Sequence, residues 1–284
     1  MVATPSASAT APALHPALRT LLSRSIPAVM GVLNVTPDSF SDGGQFLAPD
    51  RALAQARRLI DEGADILDIG AESTRPYGGA EAVSAEQELA RLRPILAEIV
   101  ALGIPVSIDS MKSSVTAFAL AAGAAIANDV WGLQRDPGMA SLIAERNVPV
   151  IVMHNRDSAD PAIDIMKDIS TFFARSLDIA AKAGIGEGNI VLDPGIGFGK
   201  TQEQSMTVLA HLDQFKGFGL PLLVGASRKR FIASVVPSEP QQRLGGSIAA
   251  HLIAARHGAR IIRAHDVSET VQALRITAAI EDLA

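Results

Sequence analysis

The sequence predicts an α/β protein built as a single (β/α)8 TIM barrel, and three observations lead there. Eight short runs rich in Val, Ile and Leu recur along residues 27–284, each followed by a polar loop, most leading to an Ala-rich helical stretch. Most of those stretches stop at a glycine, among them Gly63, Gly103, Gly123, Gly184 and Gly258, as helix C-termini do. Strands that are apolar throughout belong to a parallel sheet covered on both faces, and eight strand–helix units in this length match the roughly 250 residues of a closed barrel. A doubly wound open sheet is the alternative, but no Gly-x-Gly-x-x-Gly turn follows the first strand.

In chain order the expected strands are 29–35, 65–70, 105–109, 125–130, 149–154, 189–193, 221–225 and 260–265. Helical stretches are expected at 51–62, 84–102, 113–122, 139–146, 169–183, 204–215 and 245–257. Residues 1–26, a mixture of Ala, Pro, Ser and Thr without an acidic residue, read as a flexible N-terminal tail ahead of the domain at 27–284.

Composition narrows the function. The formal net charge of −5 lacks the basic excess that neutralising nucleic-acid phosphates requires. With no cysteine, thiolate nucleophiles, disulfides and Cys-ligated zinc are excluded. Aromatics are 4% of the chain, with Trp131 and Tyr77 the single Trp and Tyr, too few for a base-stacking platform. No apolar run approaches the roughly 20 residues of a membrane helix, so a cytoplasmic enzyme without a nucleic-acid or membrane partner is expected.

Barrel active sites lie at the C-terminal ends of the strands. Those ends carry Asn34, the segment from Asp68 to Arg75, Asp109, Asn128 with Asp129, His154, Asp193, the Ser227–Arg230 stretch, and Arg263 with His265. Asp109 or Asp193 alone reads equally as a helix cap. Two carboxylates beside a carboxamide suit a ligand rich in N–H donors, such as an amino-pyrimidinone, because an ionised carboxylate only accepts. Ser227-Arg228-Lys229-Arg230 is expected to open a helix, which puts cations where the helix dipole disfavours them unless an anion offsets them. The alternative is a solvated basic turn. Gly195–Thr201 ends like a phosphate-binding loop but has Pro194 where glycine is required; its glycines instead let backbone approach a flat ligand, with Phe198 against its face. Loops around Phe40 and around Arg75-Pro76-Tyr77 read either as plain connections or as lids over the mouth. His154 and His265 lack the spacing of a metallohydrolase helix; a magnesium ion held by Asn34 and a substrate phosphate fits better.

The runs Met30–Gly44, Glu72–Pro76, Ile108-Asp109-Ser110, Asp193–Thr201, Gly225–Lys229 and Arg263–Val267 resemble, in order and spacing, the motif series of the dihydropteroate synthase family over residues 28–284. The resemblance implies a folate-pathway transferase that joins 6-hydroxymethyl-7,8-dihydropterin pyrophosphate to p-aminobenzoate with Mg2+ present. It also implies a homodimer and sensitivity to sulfonamides as p-aminobenzoate mimics. By the same resemblance Asp109, Asn128, Asp193 and Lys229 hold the pterin edge, Arg263 and Phe198 lie against its faces, and Met153 and Gly225 line the pocket. Asn34, Arg75, Arg263 and His265 take Mg2+ and pyrophosphate, while Phe40, Thr74, Pro76, Ser227 and Arg228 surround p-aminobenzoate. Asp109, Asp193, Lys229, Arg263 and His265 form the implied catalytic set. The chain departs from the family pattern at Ala71, at Asn155-Arg156 after His154, and at Ser205. A cobalamin-type methyltransferase barrel or a silent pterin-binding paralogue are the competing readings; the first needs no pyrophosphate site and the second should have lost one of these groups.

Overall fold

The computed structural model describes residues 13–36, 48–72 and 83–283. Eight parallel strands close in sequence order, with β8 (Ala259–Ala264) pairing β1 (Ala28–Asn34). The intervening strands are β2 (Ile66–Gly70), β3 (Val106–Asp109), β4 (Ile126–Asp129), β5 (Val150–Met153), β6 (Ile190–Asp193) and β7 (Leu222–Val224). All eight fall within a residue of the apolar runs that predict them.

The helices follow the same alternation, with instructive departures. α2 (Ala48–Asp61) follows β1. The stretch predicted at 84–102 divides into α3 (Ala85–Leu92) and α4 (Leu96–Val100), because Pro94 between them lacks the N–H that a continuous helix needs. α5 (Ser113–Ala121), α6 (Pro137–Arg146) and α7 (Ile165–Ala183) follow β3, β4 and β5. α8 (Gln202–Ala210) opens on a capping box between Thr201 and Gln204 and runs into a 3-10 turn at Leu212–Phe218. After β7 come α9 (Arg230–Val235) and α10 (Leu244–Arg256), and α11 (Val267–Glu281) completes the ring.

Alternation along each strand divides the core in two. One set of side chains, including Val29, Leu33, Leu67, Ile69, Ile108 and Val152, packs outward against the helices. The other set fills the lower barrel with Ala28, Met30, Ile66, Ile126, Ile151, Val191, Leu223 and Ile261. That inner cluster also contains Leu18 and Leu21, which corrects the expectation of a flexible tail for residues 13–26. Pro16–Leu22 forms a helix, α1, that closes the barrel floor, with Leu18 fully buried. Its entry is fixed by the His15 N–H donating to Gly188 O at 3.0 Å, a position where any Cβ would collide with Ala13. Its exit is held by Arg24 pairing with Asp65 and by Arg260 donating to Leu22 O at 2.7 Å. The tail expectation failed because only seven residues are helical, too few for their amphipathic spacing to stand out beside an Ala- and Pro-rich lead-in.

Candidate functional site at the barrel mouth

The inward parity that builds the floor continues upward and decides which strand-end residues reach the mouth. In β3, β4 and β6 the inner position just past the apolar layer is Asp109, Asn128 and Asp193, and in β2 it is Asp68. These four are nearly inaccessible, between 0% and 7% exposed, so their polar groups must find partners inside the site.

Arg263 on β8 partners two of them. Its Nε donates to Asp68 Oδ2 at 2.6 Å and its terminal nitrogen to Asp109 Oδ2 at 2.9 Å. Asn128 donates to both Asp68 oxygens at 3.3 and 3.2 Å. Two buried acceptors remain, Asp109 Oδ1 and Asn128 Oδ1, neither with a hydrogen-bond partner among the described residues. Leaving such groups unmade is costly, and both are free to accept from a donor outside the described residues. Burial, reinforced by the Asp68 charge, pushes the Asp109 carboxyl upward despite Arg263. Burial likewise raises Asp193 to about 6, against the Gly195 N–H that it accepts at 2.8 Å and the nearby Lys229.

Beside Asp193 the Lys229 ammonium sits 4.0 Å from the centre of the Phe198 ring, a cation–π contact that fixes both groups at the pocket edge. Met153 is buried on the inner side of β5, and Gly225 lies beside Arg263 at the end of β7. Asn34, half-buried at the inner end of β1, makes no side-chain hydrogen bond among the described residues, and its Oδ1 faces the Gly70 backbone.

The basic stretch after β7 differs from expectation. The helix begins at Arg230 and not at Ser227, and Arg228 occupies left-handed backbone at φ 58°. Its guanidinium is offset inside the protein: Nε donates to Asp266 Oδ2 at 3.0 Å and a terminal nitrogen donates to Oδ1 at 2.5 Å. The anion that the sequence demanded for Arg228 is therefore Asp266. Ser227 Oγ accepts the His265 backbone N–H at 3.2 Å and lies 3.0 Å from its Nδ1. With the serine hydroxyl donating to Nδ1, the ring carries its hydrogen on Nε2. Burial first, then Arg263, Arg228 and Lys229, push His265 down to about 3. It is a neutral imidazole.

Two strand-end residues are turned away from the mouth by the same parity. Asp129 accepts the backbone N–H groups of Trp131 and Leu133 at 2.9 and 2.7 Å, bracing its own loop. His154 points between the fifth and sixth loops, where Nε2 donates to Asp168 at 3.0 Å. Burial and the adjacent Lys200 and Arg156 lower His154 to about 2, so that contact is a hydrogen bond from a neutral ring. Asp68 was legible only as the start of a strand-end segment; its signal is the inward parity two residues before Gly70. Phe40, Thr74, Arg75 and Pro76 lie outside the described residues.

A closed barrel whose mouth gathers buried carboxylates, a carboxamide, an aromatic and cations defines a class that binds flat, nitrogen-rich ligands. The family model described as "Pterin binding enzyme" matches residues 30–265, and the chain belongs to that family. Within it the chain falls among the dihydropteroate synthases. It is 48% identical to "Dihydropteroate synthase" of Bacillus subtilis, with 85% of this chain and 84% of that protein covered. The dihydropteroate synthase of Clostridium difficile in the presence of pteroic acid superposes at a TM-score of 0.87 with 46% identity, covering 90% and 97%. The Xanthomonas albilineans enzyme with 4-aminobenzoic acid superposes at 0.86 with 44% identity, covering 90% and 94%.

Proposed function

We infer that the mouth condenses 6-hydroxymethyl-7,8-dihydropterin pyrophosphate with p-aminobenzoate, releasing pyrophosphate and 7,8-dihydropteroate. The observation that carries the site assignment is the pair of unpartnered buried acceptors, Asp109 Oδ1 and Asn128 Oδ1, beside the Asp193 carboxylate. An aminopterin edge presents N–H donors to such a row, while Lys229 and the Phe198 ring border its plane. Met153 and Gly225 complete the pocket wall. Pyrophosphate release and dihydropteroate formation measured with both substrates, and then with each omitted, test the reading; steady turnover that p-aminobenzoate does not increase, or that yields no dihydropteroate, sinks it.

Pyrophosphate would lie toward Arg263 and the Nε2–H of His265, with Arg75 in the same role by family resemblance. Asn34 offers a single neutral oxygen, and no group of three His, Cys, Asp or Glu side chains able to hold a metal occurs among the described residues. That donor set fits Mg2+, which takes few protein ligands and fills its sphere with phosphate oxygens and water. Bound there, Mg2+ would neutralise charge on the leaving group. Thr74, Ser227 and Arg228, with Phe40 and Pro76, are assigned to p-aminobenzoate; since Arg228 is committed to Asp266, Ser227 is the stronger contributor.

The chemistry proposed is dissociative: the C–O bond to pyrophosphate breaks first, the arylamine then attacks the pterin-stabilised cation, and the resulting anilinium gives its proton to the departing pyrophosphate or to water. A neutral His265 held near pKa 3 is too weak a base to deprotonate an amine, and a neutral arylamine needs no deprotonation before attack. Stabilisation of departing charge supplies the acceleration. Ring-substituted p-aminobenzoates in single-turnover experiments at saturation should then react at rates nearly independent of amine basicity; a steep dependence indicates direct displacement.

The protein is assigned to the cytoplasm as a homodimer. Support for the dimer is an apolar surface on α10 and α11, where Ile253, Ile276 and Ile280 are 45%, 58% and 64% exposed. No helix among the described residues is long and apolar enough to cross a membrane.

A further inference from the structure

Lys200 is the one lysine among the largest fully buried side chains of the described residues, and no step of the proposed reaction uses it. Its ammonium is surrounded by three acceptors suited to its three N–H bonds: His154 Nδ1 at 2.7 Å, Gly195 O at 2.8 Å and Phe198 O at 3.1 Å. Two of those acceptors belong to the loop after β6, and the third belongs to the neighbouring strand end. The histidine is itself oriented, since its Nε2 donates to Asp168, which Arg156 grips through both carboxylate oxygens at 2.9 Å.

The loop that Lys200 gathers is the one that shapes the pterin edge. Asp193 accepts its Gly195 N–H, and Phe198 presents its ring to Lys229. The loop also presses on the fifth-strand loop so closely that a Cβ at Gly195 would lie 2.0 Å from His154 O, and one at Gly199 would lie 2.4 Å from Arg156 Cβ. Gly195, Gly197 and Gly199 all have positive φ, at 65°, 79° and 55°, a left-handed backbone that side-chain-bearing residues rarely adopt. A loop of this shape has few internal hydrogen bonds to hold it, Phe198 N to Gly195 O among them. The buried ammonium supplies the missing ones from within.

We propose that Lys200, oriented by His154 and Asp168, is a positioning residue for the pterin subsite: it ties the Gly195 and Phe198 carbonyls to the fifth strand and so sets where Phe198 and Asp193 meet the pterin. Arg156, one of the residues that depart from the family pattern, takes part in this brace, completing it on the solvent side through Asp168. Removal of the ammonium frees the loop carbonyls without touching any group assigned to p-aminobenzoate, so the two substrates should respond differently. The proposal rests on the reading that this mouth binds a pterin.

The experiment compares wild type with Lys200→Met and His154→Gln, measuring pterin pyrophosphate affinity by the change in pterin fluorescence and both KM values at a temperature where circular dichroism shows folded protein. Lys200→Met is expected to raise the pterin Kd and KM at least tenfold and to leave the p-aminobenzoate KM within twofold. His154→Gln, which keeps an acceptor for Lys200 on a side chain lacking the ring, is expected to raise the pterin KM two- to fivefold. A merely structural role lowers active protein and kcat without moving the pterin KM selectively, and that result in either variant overturns the proposal. If Lys200→Met does not fold, an unchanged pterin KM in His154→Gln overturns it and a selective rise sustains it. Wild-type protein that binds no pterin pyrophosphate overturns the reading of the mouth together with this proposal, whereas wild-type binding with unshifted variants overturns the proposal alone.

Discussion

Asp193 shows how the site sets function against stability at the level of one side chain. Its carboxyl is fully buried and its pKa rises from 3.8 to about 6, so the folded state favours the protonated form. Asp193 therefore contributes stability below about pH 4 and loses it as pH rises through about 6. At one pKa unit per 1.4 kcal/mol the ionised group costs about 3 kcal/mol at pH 8. Asp193→Asn should unfold at higher denaturant than wild type at that pH, yet bind pterin pyrophosphate more weakly by about 2–5 kcal/mol, the loss expected when one member of a buried charged pair is replaced. Urea melts and pterin titrations on the same preparation check both halves. The ionised form is the one that accepts N–H donors, so kcat/KM for the pterin substrate should fall by about tenfold per pH unit below pH 6, and the Asn variant should show a shallower acid limb. An acid limb of equal slope in both proteins would remove Asp193 from the titration.

Among the elements, α1 and α3 are each tied in by contacts far from them in the chain. Leu18 of α1 is buried in the barrel floor, so Leu18→Ala should destabilise the protein by about 2–5 kcal/mol in urea denaturation. The floor lies at the opposite end from the mouth, and kcat should be unchanged below the melting transition. α3 is anchored through Glu88, wholly buried, whose Oε1 takes the Lys112 ammonium at 2.5 Å while Glu72 takes it at 2.6 Å. Burial raises the Glu88 pKa although Lys112 opposes the shift. Lys112→Met strands that carboxyl and should cost about 3–5 kcal/mol, with Lys112→Met/Glu88→Gln recovering part of the loss. Equal stability of the single and double variants would show that the pair is not coupled.

At the scale of the whole molecule, Ile276 and Ile280 lie one turn apart and exposed on α11, and Ile253 is exposed on α10, which packs against α11 through His251 and Arg256. Sedimentation equilibrium should give a dimer for the wild type and a monomer for Ile276→Lys/Ile280→Lys; a variant that remains dimeric places the interface elsewhere. The barrel was legible in the amino-acid order, because strand and helix periodicities are local and each of the eight apolar runs could be read alone. That order also placed Asn34, Asp109, Asn128, Asp193, Arg263 and His265 at the mouth, since a parallel barrel puts every strand end on one side. Tertiary structure set the rest: Arg263 meets Asp68 and Asp109 across 195 and 154 residues of sequence, and Arg228 pairs with Asp266 across 38. His154 and Asp129 face away from the mouth because strand ends shift by a single residue, and one residue reverses a side chain. α1 was invisible as a plug because its apolar face acquires meaning only against the floor it covers. Local spacing carries the elements; partners distant in sequence are chosen by the closed three-dimensional arrangement, which no single stretch encodes.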